Sequence, residues 1–241
     1  MLLSVILFSS MSSLSKAQGF DWQTGGRMPY KIPVIFIGIN AGLSDVSHKG
    51  EFNLEEDMIE CCKFKDGTGS SSQFGLSAEY WPDGYTAVNT SLSYTTIKGS
   101  FTVRNSLPTR NGDFITDFGF NSTISYIEFE IGAKRRLFET HVSIGAALKF
   151  DVLLSGKSEY TEQAVSDNVP FEKRTILTGQ IQNLQTVVIS PSVFAAYDAS
   201  LALGYYASPY LSASYSLNSI IEDEPWRRFS LSIGIRIFRN L

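Results

Sequence analysis

Ser47, His48 and Glu51 stand close together near the end of an alternating segment, the one place where this chain could assemble a nucleophile, a base and an orienting acid. A hydroxyl is a weak nucleophile until a base within hydrogen-bond reach takes its proton, so such a trio would point to a lipid hydrolase. The plainer reading, a solvated histidine at a rim, is favoured. His141 lies beside a predicted turn, far along the chain. Cys61 and Cys62 are adjacent and cannot staple distant segments; a vicinal disulfide, an intermolecular link and free thiols all stay open. Metal binding needs more ligands at suitable spacing, and no Gly-rich phosphate loop occurs. No catalytic residue, metal or cofactor is assigned.

A second set of chemistry-bearing residues shares one face of the alternating segments: Glu79, Glu128, Glu130, Lys149, Asp151, Arg228 and Arg236, with Tyr206 and Tyr210 among them. Buried charges must be paired and hydrogen-bonded. If that face closes on itself, Arg228 or Arg236 and Lys149 should meet the carboxylates in an ion-pair network across a lumen. Such a network would plug and order the interior; a gated polar path is the sharper alternative.

The elements that must carry these side chains are strands. From Phe229 to Ile237 the odd positions are Phe, Leu and Ile, while Arg228, Ser230, Ser232, Gly234, Arg236 and Phe238 take the even ones. Successive side chains of a strand point to opposite faces, so one face is apolar and the other small or charged. Similar alternation marks Val34–Leu43, Gln73–Trp81, Thr86 to about Val103, a strand within Phe114–Arg135, Val142–Leu154, Thr186–Tyr197 and Gly204–Asn218. A phase slip near Ile124–Tyr126 suggests a bulge. Pro82-Asp83-Gly84 and two other short turns follow strands two, four and six. Longer loops follow the others: an acidic one over Glu51–Lys65 that could form a short surface helix, Arg104–Gly112, the polar aperiodic stretch Gly156–Leu184, and Ile221–Pro225. Eight strands with alternating short and long connections fit an eight-stranded antiparallel up-and-down transmembrane β-barrel.

Composition agrees. The 241 residues suit one barrel domain, and only 18% are charged while 43% are hydrophobic; soluble domains carry about 25% charged residues. A soluble barrel would need many Lys and Glu on its outer face. Here the non-apolar face is mainly Ser, Gly, Asn and Thr, which suits a narrow interior filled by side chains. A net charge of −4 provides no basic footprint for nucleic acid. Residues 1–17 read as a signal peptide ending at Ser15-Lys16-Ala17, without the usual basic start; 18–32 read as a periplasmic segment and 33–241 as the barrel.

The chain resembles the eight-stranded OmpA-like outer-membrane barrel proteins of Bacteroidetes and Chlorobi type. The resemblance rests on Cys61-Cys62-Lys63-Phe64 followed by Gly67-Thr68-Gly69-Ser70, the strand Phe74-Gly75-Leu76, Ile127-Glu128-Phe129, Leu153-Leu154-Ser155-Gly156 and the closing Ser232-Ile233-Gly234-Ile235, over roughly 33 to 238. It implies a monomer in the cell outer membrane, contacting outer-membrane lipids and inserted by the barrel assembly machinery, without the peptidoglycan-binding domain many members carry. The family's strands commonly end on an aromatic residue; here Arg239-Asn240-Leu241 follows Phe238. The expected function is a non-enzymatic structural or surface-interaction role, with contact to an extracellular partner through loops 50–71 and 157–185. A small passive porin-like channel and an outer-leaflet lipid hydrolase are the alternatives.

Overall fold

Alternation of apolar and small residues becomes a closed wall in the computed structural model, which describes residues 34–51, 64–109, 112–137, 140–164, 174–202, 204–222 and 224–241. The proposed leader, the periplasmic segment, most of the acidic loop and Cys61-Cys62 fall outside them. Ten strands form: β1 (Val34–Lys49), β2 (Gly67–Trp81), β3 (Thr86–Thr109), β4 (Gly112–Arg136), β5 (Val142–Ala164), β6 (Arg174–Gln180), β7 (Val187–Tyr197), β8 (Ala199–Ala202), β9 (Tyr205–Tyr215) and β10 (Arg227–Asn240). Eight are staves of one ring, β1-β2-β3-β4-β5-β7-β9-β10, and β10 closes it by pairing antiparallel with both β9 and β1. β6 adds to the edge of β5, and β8 folds back on β9. This is the predicted eight-stranded up-and-down barrel with two additional short strands.

The outward face carries an apolar belt. Ile35, Ile37, Ile39 and Leu43 on β1, Phe74 and Leu76 on β2, Ile144, Leu148, Val152 and Leu154 on β5, and Phe229, Leu231, Ile233, Ile235 and Ile237 on β10 all point out and are exposed. The run Phe229–Ile237 matches the about 9–11 residues a tilted strand needs to cross hydrocarbon. Ring closure satisfies the backbone hydrogen bonds that lipid cannot. Both described chain ends and the short connections, at 82–85 and 137–141, lie at one end of the barrel; the longer connections lie at the other.

Three expectations about strand limits are corrected. The Arg104–Gly112 loop is strand instead, because β3 and β4 pair without a break as far as Thr109 and Gly112. The described residues of the aperiodic stretch after Gly156 are also largely strand, since β5 continues to Ala164 and β6 pairs with it. Gly67 to Ser71, placed in the first loop, begins β2. At 24, 25 and 23 residues, β3, β4 and β5 are far longer than a crossing needs, so they project beyond the belt at the long-loop end.

The projecting strands keep their period but exchange the polarity of their faces. On β3, inward Asn89, Ser91, Ser93 and Thr95 give way to inward Ile97 and Phe101, while outward Val88, Leu92 and Tyr94 give way to exposed Lys98, Ser100, Thr102 and Arg104. Outside hydrocarbon the outer face meets water and the inner face becomes an ordinary apolar core. β4 makes the same exchange around Ile124–Tyr126, where a phase slip was expected. It stays in phase, with Phe120, Ser122, Ile124, Tyr126 and Glu128 all buried on one face. The register shift found at Ser125/Tyr126 arises because Leu153 and Ser155 of β5 are their partners, which puts the extra residue, Leu154, on β5.

Candidate functional site

The lumen is the candidate site. Among the described residues it buries five carboxylates, Glu79, Glu128, Glu130, Asp151 and Asp198, against five cations, Lys134, Arg136, Lys149, Arg228 and Arg236. Each strand aims its share inward by parity. Glu128 and Glu130 come from β4, Lys149 and Asp151 from β5, and Arg228 and Arg236 from β10.

All seven charges singled out in the sequence lie in this interior. Arg236 Nη2 donates to Glu130 Oε1 at 2.8 Å across the lumen, and Asn89 Nδ2 donates to the same oxygen at 3.2 Å. Lys149 Nζ bridges Glu128 at 3.1 Å and Glu130 at 3.7 Å. Arg228 pairs with Asp151. Glu128 and Asp151 sit directly opposite each other on β4 and β5, a like-charge juxtaposition that is unfavourable alone; Lys149 and Arg228 neutralise the two carboxylates separately. Glu79 accepts from Trp81 Nε1 at 3.1 Å and from the Tyr206 hydroxyl.

Sequence reasoning missed three of these ten charges, Lys134, Arg136 and Asp198. Lys134 lies 2.9 Å from Glu79 and 3.0 Å from Asp198, and Arg136 lies 3.8 Å from Asp198. Ser208 Oγ donates to Asp198 at 2.7 Å. Lys134 and Arg136 continue the inward parity of Glu128 and Glu130, and that signal was available.

Aromatic faces line the charges. The Arg236 guanidinium lies 4.6 Å from the Tyr210 ring centroid, Arg136 lies 4.6 Å from Trp81, and Arg228 lies 5.2 Å from Tyr126. Such contacts partly replace the water these cations have lost. Tyr210 crosses the lumen to accept from Gln73 Nε2 at 2.7 Å. Gly234 on β10 makes room for it: a Cβ there would come 2.5 Å from the Tyr210 ring.

Both ends of the network are closed. At the short-turn end Val34, Phe36, Trp81, Ala87, Tyr206 and Phe238 form one buried cluster, with Phe238 stacked on Tyr206 at 4.9 Å and Phe36 edge-on to it at 4.9 Å. At the long-loop end a larger cluster holds Val46, Phe64, Ile97, Phe101, Phe120, Ile124, Tyr126, Ile181, Val188, Ile220, Ile221 and Trp226. The two expected contact loops therefore contribute plug as well as surface: Phe64 and Ile181 are buried in it.

His48 belongs to this plug and is not a solvated rim histidine. It is 1% exposed. Trp226 Nε1 donates to its Nδ1 at 3.1 Å, and its Nε2 faces the Lys98 carbonyl at 3.4 Å, which sets the neutral Nε2–H tautomer. It lies past Asp45, beyond the belt. Burial, aided by the charge of Arg228, holds its pKa down to about 4 against the opposing pull of the Lys98 carbonyl. Ser47, next along the strand, is on the opposite face, so the Ser47-His48-Glu51 trio is not assembled. His141 lies beside Tyr197 at the short-turn end, with the rings tilted and their centroids 5.6 Å apart. No group of metal-ligating side chains occurs among the described residues.

No family model matches this chain. No curated protein matches it either. Solved structures that are similar to it include Neisserial surface protein A, at 12% identity over 84% of this chain and 96% of that one with a TM-score of 0.37. The attachment invasion locus protein Ail of Yersinia pestis shows 12% identity over 84% and 97%, with a TM-score of 0.33. The outer membrane protease OmpT of Escherichia coli shows 11% identity over 86% and 97%, with a TM-score of 0.40.

Proposed function

We propose that this chain is a non-enzymatic, OmpA-like outer-membrane barrel protein whose interior is plugged and whose work is done at its projecting surface. The observation that carries this reading is the sealed lumen: a charge-balanced network closed by an aromatic floor and an apolar plug. A pore needs a continuous wet path, and both ends here are packed side chains. The apolar belt supports residence in a membrane, and the long β3, β4 and β5 lift a polar outer face well clear of it. That face carries ion pairs suited to water, Arg104 with Asp117 at 2.7 Å and Arg174 with Glu162 at 2.8 Å.

Membrane fractionation, heat-shifted gel mobility and planar-bilayer recording test this together. The expected protein sediments with the outer membrane, migrates differently after heating and produces no unit conductance steps. Protease added to intact cells should cut the projecting strands and spare the turn at Pro82–Tyr85. A water-soluble, heat-insensitive protein would overturn the membrane reading. Discrete conductance steps would favour the passive channel, which has one observation behind it: Thr95 Oγ1, Asp151 Oδ1 and Ser190 Oγ are buried without a hydrogen-bond partner among the described residues, and such atoms attract internal water.

A further inference from the structure

The barrel wall has one short seam, and a cleft opens at it. Adjacent staves pair over long registers except β7 and β9, which pair over the five residues Ser192–Ala196 and Tyr210–Ser214. Continuing that register one step either way sets Pro191 opposite Tyr215 and Tyr197 opposite Pro209. Proline has no N–H to give a ladder and is normally kept out of central strands. Two prolines thus bound the seam. Beyond Pro191 the strands are re-tied partly by a side chain: Asn218 Oδ1 accepts from Ile189 N and Asn218 Nδ2 donates to the Val187 carbonyl, both at 2.8 Å.

On the outside of the same break lies a cleft of about 540 Å³ that runs from Ile131 on β4 to Phe229 on β10, within the about 300–1,000 Å³ of clefts that hold one small ligand. Its depth comes from residue size. Ala146 and Ala213 take the outward positions on either side of Val193 in the register, with the larger Leu148, Tyr215 and Phe229 around them. The cleft reaches Ala147 and Ser192, whose side chains turn inward, so its floor is the backbone of the wall. At its rim Leu148, Tyr215 and Phe229 are 40–44% exposed.

We propose that this cleft binds one acyl chain of a membrane lipid, laid across the Pro191–Tyr215 break. The inference rests on the membrane reading above. The cleft is continuous with the hydrocarbon-facing belt, so the medium that must fill it is hydrocarbon, and its concave, small-residue floor admits a flexible chain more readily than the convex wall of another barrel. The Tyr215 ring at its rim offers an apolar body with a polar tip, suited to the level where an acyl chain meets its headgroup.

The test uses the full chain in phosphatidylcholine vesicles containing phosphatidylethanolamine with a diazirine on its acyl tail. After photolysis, cross-links to peptides covering 187–197 and 205–217 should exceed those to the equally apolar faces of β1 and β2 severalfold. Ala146→Phe or Ala213→Phe, which fill the cleft, should lower that enrichment to the level of the rest of the belt. Ala41→Phe, outward on β1, should leave it unchanged. Even labelling around the belt in the wild-type protein would overturn the site while leaving the membrane reading intact. No labelling, with the protein left in the aqueous fraction, would overturn both. If a filled variant does not fold, the wild-type labelling map decides alone.

Discussion

Trp226 Nε1 donates to His48 Nδ1 at 3.1 Å, a hydrogen bond between residues at opposite ends of the described chain that lies inside the plug. Protonating His48 requires the nitrogen this bond occupies, and would place a second cation near Arg228. The pKa of about 4 in the folded protein lies below the ordinary 6.5. The unfolded chain therefore binds more protons between these values, and folding stability must fall as pH drops from about 6.5 towards 4 and change no further below that on this account. The loss should reach about 3 kcal/mol. Urea unfolding in detergent at several pH values checks it: His48→Leu should lack this portion of the acid slope that the wild-type protein shows.

Lys134 pairs with two carboxylates, Glu79 and Asp198, the second of which it shares with Arg136. Lys134→Met should cost about 3–5 kcal/mol, because it strands buried charge rather than merely deleting a contact. Adding Glu79→Gln should recover part of that loss. The comparison to make is the urea midpoint of the single and double variants; an additive result would mean that the pair is not coupled.

Arg236 and Glu130 tie β10 to β4 across the lumen at 2.8 Å. Arg236→Leu and Glu130→Gln should each destabilise the barrel, and a double-mutant cycle should return a coupling between about 0.5 and 3 kcal/mol. The refolding yield into detergent should fall with the single variants more than with the double one.

Gly234 leaves space for the Tyr210 ring. Gly234→Val should drive that ring from its place beside Arg236 and destabilise the barrel by about 1–3 kcal/mol. Pairing it with Tyr210→Ser should restore only the part due to the ring, because the Ala41 carbonyl would still lie 2.6 Å from the new Cβ; both are read as the temperature at which gel mobility shifts.

The eight staves of the ring, the outward apolar row and the inward parity of all seven charges were legible in the sequence, because a strand's faces repeat every second residue regardless of what lies around it. Strand length was not. Where β3 and β4 leave the belt, polarity exchanges faces while the period continues, so apolarity alone does not mark Ile97, Phe101, Phe120 and Ile124 as inward. Tertiary structure alone decided which charges meet. Arg236 reaches Glu130, Arg228 reaches Asp151, and Lys134 reaches Glu79 and Asp198, because closing the ring sets the shear that brings distant staves face to face. It also decided that His48 is buried, since Phe101, from the projecting part of β3, and Trp226, just before β10, pack against it. Alternation is local and survives in one dimension; partners across a lumen are a property of closure.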